Sequence, residues 1–196
     1  MMKKLGYLIP DLMVAVALGF LALGTGLAQG QPEPEEYQAV AMGQGNFMGQ
    51  IYNVTIHISA YSTDAERQAL LDIFDKGGSA ALATALTKQQ SHGNVEFTGA
   101  TGVDISYARK MPGANGGTRV RIMANHPITL SGAESGIPNN ALSAIELDLV
   151  PQKGKSTGML WPASMFVVNK ETHELEAENY QNPWSLTDVK LRGEKK

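Results

Sequence analysis

Short runs of alternating apolar and polar residues follow one another along most of this chain, and that period of two restricts the folds open to it. The clearest run is Ile51–Tyr61. Its apolar members are Tyr52, Val54, Ile56, Ile58 and Ala60. Further runs follow residue 90 at intervals of about 8 to 12 residues, separated by turn-forming residues, which is typical of antiparallel strands. We expect about nine strands that form a meander.

A helix is predicted directly after the first run. Thr63 precedes Asp64-Ala65-Glu66, a capping box with acidic residues in the first turn. Lys76-Gly77 indicates an end, and an apolar stripe after Ser79 indicates a second short helix hinged at Gly77-Gly78. No further helix is expected to carry a crossover between parallel strands. The sequence thus predicts an α+β fold, a curved antiparallel sheet packed against one pair of short helices on its concave face or across its open end.

The first 28 residues have the pattern of an export signal. Lys3 and Lys4 precede the uncharged apolar run Leu12–Leu23, which ends in the small-residue segment Gly26-Leu27-Ala28. We expect residues 1–28 to be a signal peptide that is cleaved after Ala28. The alternative is an uncleaved anchor, because the uncharged stretch is near the lower limit for crossing a bilayer.

The rest of the chain divides by composition. Residues 29–50 are rich in Pro, Glu and Gly and are predicted to be a flexible linker. Residues 51–192 are long enough for a single α+β domain, and residues 193–196 form a charged tail. Because the chain has no cysteine, an exported form would contain no disulfide and no thiolate metal ligand. We expect a bacterial protein that is periplasmic or secreted.

Charge argues against a polyanionic partner. The formal net charge is −3, and it becomes −4 once the leader with its two lysines and one aspartate is removed. A mildly acidic chain without a sustained basic run is a poor binder of polyanions. We therefore expect no nucleic acid partner, and no membrane contact after leader cleavage.

The sequence contains fragments of familiar catalytic and metal-binding motifs, but these fragments lack the neighbouring structure or the spacing that the motifs need. Gly154-Lys155-Ser156-Thr157-Gly158 matches parts of a phosphate loop and of a nucleophile elbow, but both need a helix after it. A strand pattern follows instead, and the glycine that a phosphate loop needs is replaced by Leu149. The four histidines, His57, His92, His126 and His173, lack the spacing of a metal motif. No catalytic residue, metal or cofactor is predicted.

Two groups of polar residues are candidate ligand contacts. His57 and Tyr61 lie on the polar side of the first run, and they would line a pocket if the sheet closed with this face inward. Otherwise they belong to a solvated surface. Arg119 and Arg121 share a predicted hairpin and could bind a carboxylate or phosphate, or else pair with Glu96 or Asp104 on the outer face.

Trp161 and Trp184 are the aromatic candidates for ligand binding. An exposed indole ring can stack on a flat apolar ligand face such as a sugar ring. The alternative is that both rings belong to the hydrophobic core.

One pattern resembles a known group of proteins. Lys155-Ser156-Thr157-Gly158 with Leu160 and Pro162, followed by the run Glu178–Trp184, is similar to a pattern shared among small exported bacterial proteins of no assigned function. The resemblance would extend over most of residues 54–189. It implies an exported single domain and transfers no activity and no site residues.

These features favour an exported, non-catalytic binding module for an unknown small molecule or envelope protein, with a pocket between curved sheet and helical pair. One alternative is a hydrolase or isomerase with a site assembled from His57, Asp104, Arg119 and Arg121. Another is an accessory subunit of an envelope complex, held by an uncleaved leader.

Overall fold

The computed structural model describes residues 33–130, 141–152, 155–179 and 182–193. These belong to one compact unit, residues 31–196. The predicted signal peptide, the predicted loop 131–140 and residues 194–196 of the predicted tail lie outside the described residues. The elements are β1 Glu35–Met42, β2 Ile51–Ile58, α1 Asp64–Leu86, β3 Gly93–Phe97, β4 Ala100–Pro112, β5 Thr118–Ala124, β6 Leu142–Leu149, β7 Thr157–Val168, β8 Leu175–Asn179 and β9 Trp184–Leu191, with 3₁₀ turns at Gly45–Phe47 and Ala114–Gly116.

The strands close into a barrel. Strands β1 to β6 pair in chain order, β6 pairs with β7, β7 with β9, and β9 returns to β1. Every pair is antiparallel, as the sequence predicts. The ring thus has eight strands, and β8 is added to the far half of β7. The prediction of an open curved sheet is wrong, because β1 and β9 bond to each other and remove the edges.

The strand that completes the ring lies inside the segment predicted to be a linker. In β1 the inward residues are Tyr37, Ala39 and Ala41, all buried, and Gln38 and Met42 face outward. Two alanines give a weak apolar signal, and the acidic, proline-containing residues before them hide the alternation. Residues 35–42 are therefore a central strand of the barrel, with β2 on one side and β9 on the other.

Apolar side chains fill the interior of the barrel. Each strand of the ring contributes to one continuous cluster, in which the largest side chains are Trp184 and Tyr37. Other members are Val54, Ile56, Ile58, Val95, Phe97, Ile105, Val120, Ile122, Ile145, Leu147, Leu160, Leu186 and Val189. The apolar side of the alternation therefore faces inward, and the polar side forms the outer wall.

The helix covers part of that outer wall and does not lie on the concave face. Leu70, Leu82 and Leu86 of α1 pack against Tyr107 and Phe166, in a second cluster that also contains residues of β5, β6 and β8. The β7–β8 hairpin completes this outer layer. The barrel thus has a covered half, formed by β4 to β7 beneath α1 and the hairpin, and a bare half, formed by β9, β1, β2 and β3.

The helical pair predicted from the sequence is a single helix. Its start is as predicted: the Thr63 hydroxyl accepts a hydrogen bond from Glu66 N at 3.1 Å, and Glu66 Oε2 accepts one from Thr63 N at 2.6 Å. At the predicted hinge the helix has a kink. Gly78 adopts the non-helical angles φ 65° and ψ −162°, and the chain returns to helical geometry after it. The Ser79 hydroxyl fixes the kink by accepting a hydrogen bond from Phe166 N at 3.2 Å.

The sequence patterns of residues 158–161 and 165–168 are typical of two separate strands, but both segments belong to β7 in spite of Pro162 between them. The pairing of β6 with β7 shifts register between Leu142 and Ala144, and this irregularity accommodates a residue without an N–H. The freed Pro162 carbonyl accepts hydrogen bonds from Ile128 N and Ser143 Oγ. Residues 128–130 have the alternation of a short strand but form an irregular segment in which Ile128 is buried.

Candidate functional site

His57 lies on the outer wall of the bare half. Its imidazole is 38% exposed, and Nδ1 lies 3.3 Å from Glu36 Oε2. Arg192 holds the same carboxylate with a hydrogen bond of 2.8 Å, which lowers the pKa of Glu36. The polar face of β2 therefore points away from the barrel interior, and His57 belongs to a surface ion-pair group.

Arg119 and Arg121 lie on the outer face of β5, in the covered half. Arg119 Nε donates to Asp148 Oδ1 at 2.8 Å, and this bond raises the pKa of Arg119. Arg121 is buried, with Nε 2.8 Å from Glu146 Oε1 and Nη1 2.5 Å from the Leu175 carbonyl. Both guanidinium groups are engaged by groups of the chain itself.

The two tryptophans occupy different layers. Trp184 is fully buried in the barrel and packs against the rings of Phe47 and Tyr52, each with a centroid distance of 5.6 Å. Trp161 is half-buried and packs against the cluster beneath α1. Trp184 therefore belongs to the hydrophobic core and is not an exposed ring on which a ligand could stack.

Tyr61 belongs to a cluster at the end of the barrel where β1 begins. Its hydroxyl and that of Tyr37 both donate to Glu35 Oε2 at 2.6 Å, and Lys110 binds the other carboxylate oxygen. The Lys110 ammonium also lies 4.8 Å from the centre of the Tyr61 ring. Burial raises the pKa of Glu35, but the hydrogen bonds from Lys110 and the tyrosines outweigh it and the pKa is lowered. Burial and the bond to Glu35 raise the pKa of both tyrosines.

The residues of the alternative hydrolytic site are not brought together. His57 is paired in register with Asn94, and Asn94 with Asp104, so two strand spacings, about 10 Å, separate the backbones of His57 and Asp104. Arg119 and Arg121 lie in the covered half, in their own ion pairs.

An open groove lies towards the opposite end of the barrel from Glu35. It has a volume of about 1180 Å³ and runs along the ends of β3, β4 and β5. Its polar side chains include those of Asn94, Glu96, Asp104, Asn125 and His126, and its aromatic side chains are those of Tyr52 and Phe97. Neither lysine nor arginine is among the lining residues.

Acceptors dominate the chemistry of this groove. The Asn94 amide donates to Glu96 Oε1 at 2.7 Å, so part of its donor capacity is used within the groove. Asp104 lies opposite Asn94 on the neighbouring strand and is exposed. Asn125 Oδ1 is a buried acceptor that receives no hydrogen bond from the described residues. The groove therefore suits a group that donates hydrogen bonds.

Beside the groove, the turn between β1 and β2 exposes apolar side chains. Met48 is 81% exposed, Ile51 61% and Met42 42%. We call the segment 42–51 the β1–β2 turn. Sequence reasoning places most of it in the linker and assigns no role to Asn94 or Asn125, because strand ends meet only after the barrel closes. The methionine- and glycine-rich composition of this segment was the one available signal.

No group of three or more His, Asp or Glu side chains within the described residues is arranged to hold a metal ion. In the described part of the chain, no helix is both long and apolar enough to cross a membrane. Comparisons of the chain with protein-family models, with curated proteins and with solved structures found no match. The candidate site thus depends on the geometry of the groove alone.

Proposed function

We propose that this protein is an exported, non-catalytic binding module and that the groove beside the β1–β2 turn is its binding site. The pattern of the first 28 residues supports export. The observation that supports binding is the groove itself, an open site of about 1180 Å³ with several polar groups converging on it.

The contrast with the barrel interior strengthens this choice. Many small barrels bind ligands inside, but here Trp184, Tyr37 and their neighbours occupy the interior. The helix, which could have acted as a lid over a concave sheet, packs on the outer wall. A ligand therefore has access to the outer surface, where the groove offers an open concave site of about 1180 Å³.

The lining predicts the general chemistry of the ligand. Glu96 and Asp104 offer carboxylate oxygens as acceptors, and Tyr52 offers part of an aromatic ring. A ligand with several O–H or N–H donors would satisfy these groups, whereas an anion would be repelled by the two carboxylates.

A thermal-shift screen of the protein purified after export tests the proposal. The panel contains neutral oligosaccharides, polyamines and short peptides. We expect at least one class to raise Tm, and the shift to be lost in the double variant Glu96→Gln/Asp104→Asn. The control is Glu171→Gln/Asp75→Asn, which removes the same two charges from exposed positions outside the groove. Equal shifts in both variants, or none in the unchanged protein, would contradict the proposal.

Export has its own test. Mass spectrometry of the protein recovered from a bacterial host should show a chain that begins at Gln29. A chain that retains residues 1–28 and sediments with the membrane would instead favour the anchored, accessory-subunit alternative.

A further inference from the structure

The β1–β2 turn concentrates the exposed large apolar side chains. Among the described residues these are Met42, Met48 and Ile51, and all three belong to this one turn. Single exposed apolar residues are ordinary, but an apolar group gathered at one point of a surface is typical of an interaction site.

The turn is held in one conformation. Gly43 N donates to the Gln50 carbonyl at 3.0 Å, and Phe47 N donates to the Gln44 carbonyl at 3.1 Å. The Phe47 ring stacks on buried Trp184, which ties the turn to β9. A surface that is already ordered loses little conformational entropy when a partner binds.

The apolar turn and the polar groove are neighbours. Tyr52 follows Ile51 directly and lines the groove. Thr98 N donates to the Asn53 carbonyl at 3.1 Å, which holds the β3–β4 turn beside the start of β2. Together the two features combine apolar contacts with a polar border, which is the usual composition of a protein–protein interface.

From this arrangement we propose that the groove and the β1–β2 turn form one docking surface for a different polypeptide, which supplies basic side chains to the groove and apolar side chains to the turn. The inference rests on the proposed binding function and specifies the partner. Charge complementarity favours a basic partner, because Glu96 and Asp104 attract lysine and arginine side chains and no lysine or arginine of the groove lining would repel them.

Two other occupants fit less well. A second copy of the chain in a two-fold dimer would place the same carboxylates near each other, where they would repel. An anionic lipid surface would meet the same carboxylates and no lysine or arginine of the groove lining.

The test uses two synthetic octapeptides, one of alternating lysine and leucine and one of alternating glutamate and leucine, titrated into the exported protein by calorimetry. We expect the lysine peptide to bind and the glutamate peptide not to bind. Glu96→Gln/Asp104→Asn and Met48→Ser/Ile51→Ser should each weaken binding about tenfold or more, whereas Glu171→Gln/Asp75→Asn should not. Unchanged Tm values would show that the variants remain folded.

The outcomes separate this inference from the proposed function. If neutral oligosaccharides bind at Glu96 and Asp104 and neither peptide binds, the docking inference is overturned and the binding function stands. If no compound class depends on these residues, both fail. The inference would also be overturned if neither peptide bound and Met48 were required for one of two other events. These are binding to phosphatidylcholine vesicles and concentration-dependent dimerisation.

Discussion

The two halves of the barrel wall have the same alternating pattern but opposite surroundings. In the covered half, the outward charges lie beneath α1 and the β7–β8 hairpin and are paired: Arg121 is 5% exposed and contacts Glu146 and the Leu175 carbonyl. In the groove, where the bare half meets the start of β4, Glu96 and Asp104 face solvent. A polar side chain on an outer strand face thus has a structural role beneath the helix and the hairpin and is accessible to a ligand in the groove.

Arg121→Leu should be the most damaging charge removal, because it leaves Glu146 in the covered half without its nearest cation. We expect the free energy of unfolding to fall by about 4 kcal/mol, measured by chemical denaturation. Its counterpart in the bare half is Arg192→Leu, which breaks an ion pair with Glu36 at an arginine side chain that is 66% exposed. That change should cost less than about 1 kcal/mol.

The double variant Arg121→Leu/Glu146→Leu tests the cause of this loss. It removes both charges, and it should recover much of the stability that Arg121→Leu alone loses. Equal losses for Arg121→Leu and Arg192→Leu would show that the covered half does not bury its charges.

Leu82→Ala addresses the contact between α1 and the barrel. Leu82 is fully buried in the cluster beneath the helix, so its truncation leaves a cavity and should cost about 3 kcal/mol in the free energy of unfolding. Ile51→Ala, in the exposed β1–β2 turn, should change it by less than about 0.5 kcal/mol. A small loss for Leu82→Ala would mean that the helix is not an integral part of the fold.

Local signals in the sequence were sufficient for much of the fold. The capping box at Thr63 and the alternation that defines β2 each involve residues close together in the chain, and both are found at the predicted positions. Closure depends instead on the pairing of β1 with β9, which lie at opposite ends of the described chain. No local pattern contains that information, and the weak signal of two alanines left β1 within the predicted linker.

The candidate site was less accessible to sequence reasoning for the same reason. The alternation correctly separated Val54 and Ile56 from His57, but it could not decide whether the polar face would line a pocket or an outer wall. The barrel closes with its apolar face inward around the core, so the polar face that carries His57 forms the outer wall. The groove combines the ends of three strands with the segment after β5, so its members became neighbours only through the tertiary fold.

Glu35 connects the two halves, since it lies on β1 and binds Lys110 on β4. Its pKa in the folded protein is lowered from an ordinary value of 4.5. A lowered carboxyl pKa stabilises the fold above the unfolded pKa, and this contribution is lost as the pH falls through the folded pKa. Glu35→Gln should therefore cost about 1 kcal/mol at pH 7 and progressively less as the pH falls below the ordinary value of 4.5. Glu171→Gln, at an exposed turn, should leave the pH profile of stability unchanged.

The smallest effect on stability is expected in the groove. Glu96→Gln/Asp104→Asn changes two exposed side chains, and the free energy of unfolding should shift by less than about 0.5 kcal/mol in either direction. The same variant should lose most of its affinity for the lysine–leucine peptide, because the positive charge and the donors of the peptide lose their acceptors. Denaturation and calorimetry on one preparation measure both quantities. A loss of stability comparable to that of Arg121→Leu would show that these carboxylates support the fold, and the contrast between the covered and the bare half would then not correspond to a division between structure and binding.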